Sequence, residues 1–278
     1  MKKLAIIGAG SMAEALISGM VENQFINKKQ IWVTNRRNEE RLNQLQERYG
    51  VSTSYELTEL LEEADIVVLA MKPKDAASSI ELIKPYLKRE MLIVSVLAGV
   101  SIESIELLAE KSLSVVRAMP NTSAAIGKSA TAIAVNDHVS SNQRNLVKNM
   151  FDTVGLTTIV EEEQLDAVTG LSGSGPAYIY YLVEAMEKSA VEIGLEREMA
   201  KELIVQTLVG AAEMVLKTTK TPEQLRREVT SPGGTTEAGI KVLESHHVQH
   251  AFINCIKEAT SQSKRLGVAL TDGIKAVK

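Results

Sequence analysis

Gly8-Ala9-Gly10-Ser11-Met12-Ala13 stands directly behind the apolar run Leu4 to Ile7 and opens a segment, Ser11 to Val21, of helical periodicity. Strand, tight turn and helix in that order begin a βαβ unit, and this placement says more than the letters do. In such a turn the first glycine permits the sharp reversal and the second lets backbone approach a pyrophosphate. A small third residue, here Ala13, lets helix pack on strand. Phosphate oxygens would meet the unsatisfied N–H groups at the positive end of the helix. Gly8, Gly10, Ser11 and Met12 are therefore candidate dinucleotide contacts. Glycines also make plain turns, so the reading depends on an α/β pattern continuing beyond them.

From Met1 to about Val160 short β-branched runs do alternate with longer helical segments, the pattern of a parallel sheet. Strands are expected at Leu4 to Ile7, Ile31 to Thr34, Ile66 to Ala70, Leu92 to Ser95, Ser114 to Met119 and Thr131 to Val135. Several are apolar without alternation, as strands covered on both faces are. After Gln164 the β signal fades. Helices are expected at Leu165 to Leu171, Ala177 to Ile193, Glu196 to Lys217, Pro222 to Glu228, Thr235 to Leu243 and Val248 to Leu266. The fold class is thus α/β: an N-terminal Rossmann-type dinucleotide-binding domain over residues 1–162, followed by an all-α domain over residues 163–278. Within the latter, Ala177 to Val183 reads AYIYYLV, apolar or aromatic on every helical face. A solvated helix does not tolerate that; the segment reads equally as a dimer interface or as a central core helix.

Composition excludes several classes. With 278 residues, 45% hydrophobic and 24% charged, the chain is long and apolar enough for two packed domains and is not a disordered polymer. The net charge of −4, without any long run of Lys and Arg, argues against nucleic acid as a partner. No stretch approaches the roughly 18 uninterrupted apolar residues of a membrane span. The start MKKLAIIGAG has a signal peptide's charge but runs into the glycine turn without a cleavage-like ending. The lone Cys255 forms no internal disulfide and, in the apolar setting Phe252 to Ile256, is expected to be a small buried core residue. A cytoplasmic protein is expected. His138, His246, His247 and His250 form no triad or metal spacing, so surface or capping roles are expected of them and no metal is assigned.

The second strand ends at Thr34-Asn35-Arg36-Arg37, where an NAD-preferring site would commonly place an Asp or Glu for the ribose 2′-hydroxyl. No carboxylate stands there, and a guanidinium can grip a 2′-phosphate in a fork. Asn35, Arg36 and Arg37 thus favour NADPH, with NADH possible; the alternative is that both arginines are solvated residues before a helix over Asn38 to Arg48. Ligands in open α/β sheets bind beyond the carboxyl ends of the strands. Three further loops fall there: Ala70-Met71-Lys72-Pro73, Ala98-Gly99-Val100 and Met119-Pro120-Asn121-Thr122. Taken singly each is more often just a turn. Gly127-Lys128-Ser129 looks like the end of a P-loop, but that motif needs a glycine where Thr122 stands.

In the helical half, Thr230-Ser231-Pro232-Gly233-Gly234-Thr235-Thr236 precedes a helix and offers backbone donors and hydroxyls at its positive end. A small carboxylate could bind there through N–H groups alone. A plain helix cap explains the same residues.

Three motifs add to this. LSGSGPAY at Leu171 to Tyr178, SPGGTT at Ser231 to Thr236 and RAMPN at Arg117 to Asn121 resemble, in order and spacing across essentially the whole chain, the pyrroline-5-carboxylate reductase family. The resemblance implies a Rossmann domain joined to an all-α dimerisation domain, with hydride transfer from NAD(P)H to the C=N bond of 1-pyrroline-5-carboxylate giving L-proline. It implies a dimer or multiple of dimers with a site formed between subunits. It puts the substrate carboxylate on Ser231, Gly233, Gly234, Thr235 and Thr236, and the nicotinamide against Ala98, Gly99, Met119, Pro120 and Asn121. Thr236 matches the hydroxyl residue at the ring nitrogen. Two departures stand out: Ser123 replaces a usual proline, and Glu228 occupies a substrate-side position often filled by Asn or Gln.

Related readings are a reductase of another cyclic imine, a β-hydroxyacid dehydrogenase and a non-catalytic NADP sensor. The dehydrogenase pattern GxGxxxK laid on Gly173 to Tyr178 meets Ile179 in place of its lysine, leaving a developing alkoxide without its proton. The sensor explains the first domain but not why GSGPAY and SPGGTT are present. Ser172 and Ser174 lack the G-x-S-x-G frame of a serine hydrolase.

Overall fold

The computed structural model describes residues 1–277, and side chains as far as residue 273. Eight strands form one sheet: β1 (Leu4–Ile7), β2 (Ile31–Thr34), β3 (Ser52–Thr53), β4 (Ile66–Leu69), β5 (Leu92–Ser95), β6 (Ser114–Met119), β7 (Ser129–Val135) and β8 (Gly155–Ile159). Their order is β3-β2-β1-β4-β5-β6-β7-β8. All neighbours are parallel except β6 and β7, which run antiparallel. The short turn Thr122–Ile126 makes that reversal, too short for the crossover helix a parallel neighbour would need. The order of strands switches direction between β1 and β4, which places the crevice of a doubly wound sheet at their carboxyl ends.

Both faces of the sheet are covered. Along β1, Leu4 and Ile6 join an apolar layer with Leu16, Met20 and Phe151. Ala5 and Ile7 point to the opposite layer, with Ile80, Leu97 and Leu108. The strand period of two explains why four consecutive apolar residues are all buried. The expected strands are all present, β4 ending one residue earlier and β7 beginning two earlier. The two-residue β3 and the edge strand β8 were not among them; β8 reads Gly-Leu-Thr-Thr-Ile and buries only its central Thr157, a weak apolar signal.

The chain separates into two compact units, one of Met1–Pro176 together with the chain from Lys257 onward, the other Ala177–Ile256. The first therefore contains the sheet and most of the final helix, Val248–Val277. Three contacts tie that helix to the first unit. Ser263 donates to Asp166 Oδ1 at 2.6 Å, the Ser104 and Thr271 hydroxyls lie 3.1 Å apart, and Gly267 lies against Gly99. A Cβ at either glycine would sit 3.2–3.3 Å from the other's backbone, so the approach depends on both lacking one.

The second unit is helical throughout. Glu196 caps the helix Arg197–Lys217 by accepting from the N–H groups of Glu198 and Met199, and Thr221 and Gln224 form a capping box at Pro222–Glu228. Of the 21 residues of Arg197–Lys217, the chain itself buries only Ala200 and Ile204. The Ala177 to Val183 segment is not a core helix within this chain, since Ile179, Tyr180 and Tyr181 are exposed. Cys255 is a second correction: it is exposed rather than buried, although Phe252 and Ile256 beside it are half-buried. The four histidines are also exposed, and His246 caps the helix Thr235–Ser245. Among the described residues no helix is long and apolar enough to cross a membrane.

Candidate active site

Gly8 has φ +116°, and a Cβ there would lie 2.5 Å from the Ala70 carbonyl oxygen. The turn after β1 and the loop after β4 are thus pressed together at the switch point, and only glycine fits. Gly10 differs: it caps the helix Ser11–Glu22 from an extended conformation, and a Cβ there would meet no protein atom within 4 Å. The fold does not need a glycine at this place, whereas a pyrophosphate lying on the helix start would. Ala13 is fully buried where helix meets sheet. These features fit the dinucleotide.

At the end of β2, Asn35 organises the loop. Its Oδ1 accepts from the Asn38 N–H at 2.7 Å and from the Tyr55 hydroxyl at 3.1 Å, and its Nδ2 donates to the Asn38 carbonyl at 2.7 Å. Asn35 therefore shapes the loop, while Arg36 and Arg37 stand exposed, Arg36 3.9 Å from Asp75. Asn38 in turn caps the helix Glu39–Tyr49.

Sequence reasoning missed what lies beneath these two loops. Arg41 donates from Nε to the Ala9 carbonyl at 3.0 Å and pairs with Glu14. Glu14 also accepts from Arg48 at 3.2 Å and the Tyr49 hydroxyl at 3.1 Å. The Arg41 hydrogen bond holds the Glu14 carboxyl below the usual range, against partial burial that pushes it up. No motif announces this cluster; Glu14 lies 27 to 35 residues from its three partners.

RAMPN and LSGSG meet. Asn121 is buried, its Nδ2 donating to the Ser172 carbonyl at 3.0 Å and its Oδ1 accepting from the Ser123 N–H at 3.1 Å. The Met119 side chain lies 3.7 Å from where a Cβ on Gly173 would be. Residues Thr169–Gly173 form a π-turn that runs two residues past the expected helix Leu165 to Leu171, and the Ser172 carbonyl, whose partner four residues on would be Pro176 with no N–H, is the one that Asn121 satisfies. Arg117 is buried too, bonded at 3.0 Å to Glu162 Oε1, which also accepts from the Ile102 N–H at the start of helix Ile102–Ala109. Pro73, Ala98, Gly99 and Ser174 line one cavity of about 430 Å³ with Gln262 and Leu266 of the final helix. The structure therefore brings two of the candidate cofactor loops together with the GSG motif. Gly127-Lys128-Ser129 closes the turn into β7.

In the second unit Ser231, Gly233, Thr235 and Thr236 are exposed. Gly234 caps the helix Thr235–Ser245 without a side-chain hydrogen bond. Two donors of this turn are already engaged, Gly234 with the Ser231 carbonyl at 3.0 Å and Gly233 with Glu237 Oε2 at 3.0 Å. Lys241 pairs with Glu237 at 3.1 Å, and Lys220 with Glu228 at 2.8 Å.

A doubly wound sheet with a glycine turn at its switch point and a helical second part defines a nicotinamide-dinucleotide oxidoreductase of the two-part kind. Family comparison makes this specific. The family described as pyrroline-5-carboxylate reductase dimerisation matches residues 162–266. The one described as NADP oxidoreductase, coenzyme F420-dependent, matches residues 3–99. Pyrroline-5-carboxylate reductase 2 of Bacillus subtilis (strain 168) is 49% identical over 266 residues, spanning 96% of this chain and 95% of that one. The solved pyrroline-5-carboxylate reductase of Coxiella burnetii superposes with TM-score 0.87 at 38% identity, covering 95% of this chain and 98% of its own. The Plasmodium falciparum pyrroline carboxylate reductase, solved with NADP bound, gives TM-score 0.87 at 31% identity with the same coverage of each chain. The chain belongs to the pyrroline-5-carboxylate reductase family.

Proposed function

We propose that this chain reduces the C=N bond of 1-pyrroline-5-carboxylate with NADPH to give L-proline, acting as a dimer or multiple of dimers. Full-length likeness to reductases of that name carries the reading. Residues 1–162 bind the dinucleotide, and residues 163–278 supply self-association and the substrate contacts. NADPH supplies the hydride when bound, and a proton completes the C–N reduction. Gly8, Gly10, Ser11 and Met12 hold the pyrophosphate, while Arg36 and Arg37 receive the 2′-phosphate. The absence of a carboxylate at the end of β2 supports NADPH over NADH. Ala70 to Pro73, Ala98, Gly99 and Met119 to Asn121 shape the nicotinamide end.

The substrate carboxylate sits on the Ser231 to Thr236 turn, with Glu228 nearby. The N–H groups of the first helical residues, Thr235 and Thr236, lack intrahelical partners by the geometry of an α-helix and are the donors best placed for it. Lys241 offsets the Glu237 charge that would otherwise repel an anion. Thr236 donates or relays a hydrogen bond to the ring nitrogen. A protonated imine is already electrophilic, so holding the reactants in place supplies about 7 to 11 kcal/mol without a strong acid. The test mixes purified protein, NADPH and the imine while nucleotide absorbance and proline are followed. Oxidation matched by proline formation is expected; binding without oxidation makes the chain a sensor and overturns the proposal.

A further inference from the structure

We infer that Arg41 is a positioning residue for the dinucleotide, holding the pyrophosphate turn and the 2′-phosphate loop at a fixed spacing and neutralising a carboxylate beneath the first. The inference rests on the dinucleotide reading above and deepens it. Arg41 lies one turn into a helix that starts at Asn38, the residue whose N–H and carbonyl both bond Asn35. The loop carrying Arg36 and Arg37 is therefore built on the same rigid element as Arg41. From there Arg41 Nε reaches the carbonyl of Ala9, between the two glycines, at 3.0 Å. Its terminal nitrogen pairs with Glu14, in the first turn of the helix that would receive the phosphates. One side chain thus joins both halves of the site.

The chemistry asks for arginine. Its planar fork donates to a carbonyl and a carboxylate at once, whereas a lysine ammonium is a single point charge that does not span both. Glu14 makes the neutralising role necessary. A carboxylate in the first turn stabilises a bare helix but repels a doubly charged pyrophosphate brought to the same end. Arg41 and Arg48 cancel that charge without themselves occupying the space open at Gly10.

Both NADPH and NADH carry the pyrophosphate, so loss of Arg41 should weaken both, NADPH at least as much as NADH, unlike loss of a 2′-phosphate ligand. The experiment measures dissociation constants for the two nucleotides in parent protein, Arg41→Met, Arg41→Lys, Arg36→Glu and the double variant Arg41→Met with Glu14→Gln. Arg41→Met should raise the NADH constant about tenfold and the NADPH constant by at least that factor, while Arg36→Glu raises that for NADPH alone. Arg41→Lys, which keeps the charge and loses the Ala9 bond, should fall between parent and Arg41→Met. The double variant should recover at least about threefold, because the uncompensated carboxylate is gone; a merely structural role gives no such rescue. Equal affinities in parent and Arg41→Met, or a loss confined to NADPH, overturn the inference while leaving the dinucleotide reading intact. A parent protein that binds neither nucleotide overturns both. If Arg41→Met does not fold, Arg41→Lys decides the matter on the same criteria.

Discussion

Two glycines two positions apart in one turn have different reasons to be glycine, and substitution separates them. Gly8→Ala must relieve a positive φ and a Cβ 2.5 Å from a carbonyl oxygen, so a loss of about 2–3 kcal/mol in unfolding free energy is expected, with nucleotide binding impaired as a consequence. Gly10→Ala meets open space, and its cost should stay near the 0.5–1 kcal/mol of a poorer helix cap while nucleotide affinity falls steeply. Denaturant melts beside nucleotide titrations check the pair; undiminished affinity in Gly10→Ala would clear that space of phosphate. Asn121 is a residue whose duty differs from its first reading. Its Nδ2 donates to the Ser172 carbonyl and its Oδ1 accepts from the Ser123 N–H, so it shapes the loop after β6. Ser123 matters here, since a proline at that position has no N–H to give. For Thr236→Ala, a drop in kcat/KM of about tenfold, the worth of one hydrogen bond, is expected from initial rates; full activity removes Thr236 from the mechanism.

At the scale of elements, the helices Ser11–Glu22 and Glu39–Tyr49 are joined through Glu14. Its folded-state pKa lies below its unfolded value, so the contribution is complete above about pH 4.3 and disappears as pH falls through the folded value. The unfolding free energy of Glu14→Gln should therefore trail the parent's by about 1 kcal/mol at neutral pH and converge with it in acid. A gap that widens on acidification would contradict the assignment. This cluster also marks the limit of what the sequence made legible. Strand runs and the glycine turn were readable because period and local turn chemistry are encoded within a few residues. Arg41, Glu14 and the Arg117–Glu162 pair depend on segments that only the sheet order brings together. The π-turn at Thr169–Gly173 was not foreseen: the expected helix stopped at Leu171, too short for the phase shift of about 100° that one extra residue causes to show in its apolar pattern. The return of the final helix to the first unit carries no local signal either; it rests on Gly99 and Gly267 fitting each other.

For the whole molecule, the second unit leaves many of its large apolar side chains exposed. Tyr181 is 74% exposed, Leu216 81% and Ile193 73%, and apolar surface of that kind is what an association surface would cover. Light scattering of the purified protein should return a dimer or a multiple of it, and Tyr181→Glu should lower the assembled fraction; a clean monomer for the parent would contradict self-association. Direct hydride transfer requires that a nicotinamide and a cyclic imine, both bound to this protein, come into contact. NADPH deuterated at both C4 positions, turned over with 1-pyrroline-5-carboxylate and this protein, tests that most directly. One deuterium on the δ-carbon of each proline formed is the expected result. Unlabelled proline, or none at all, would contradict it.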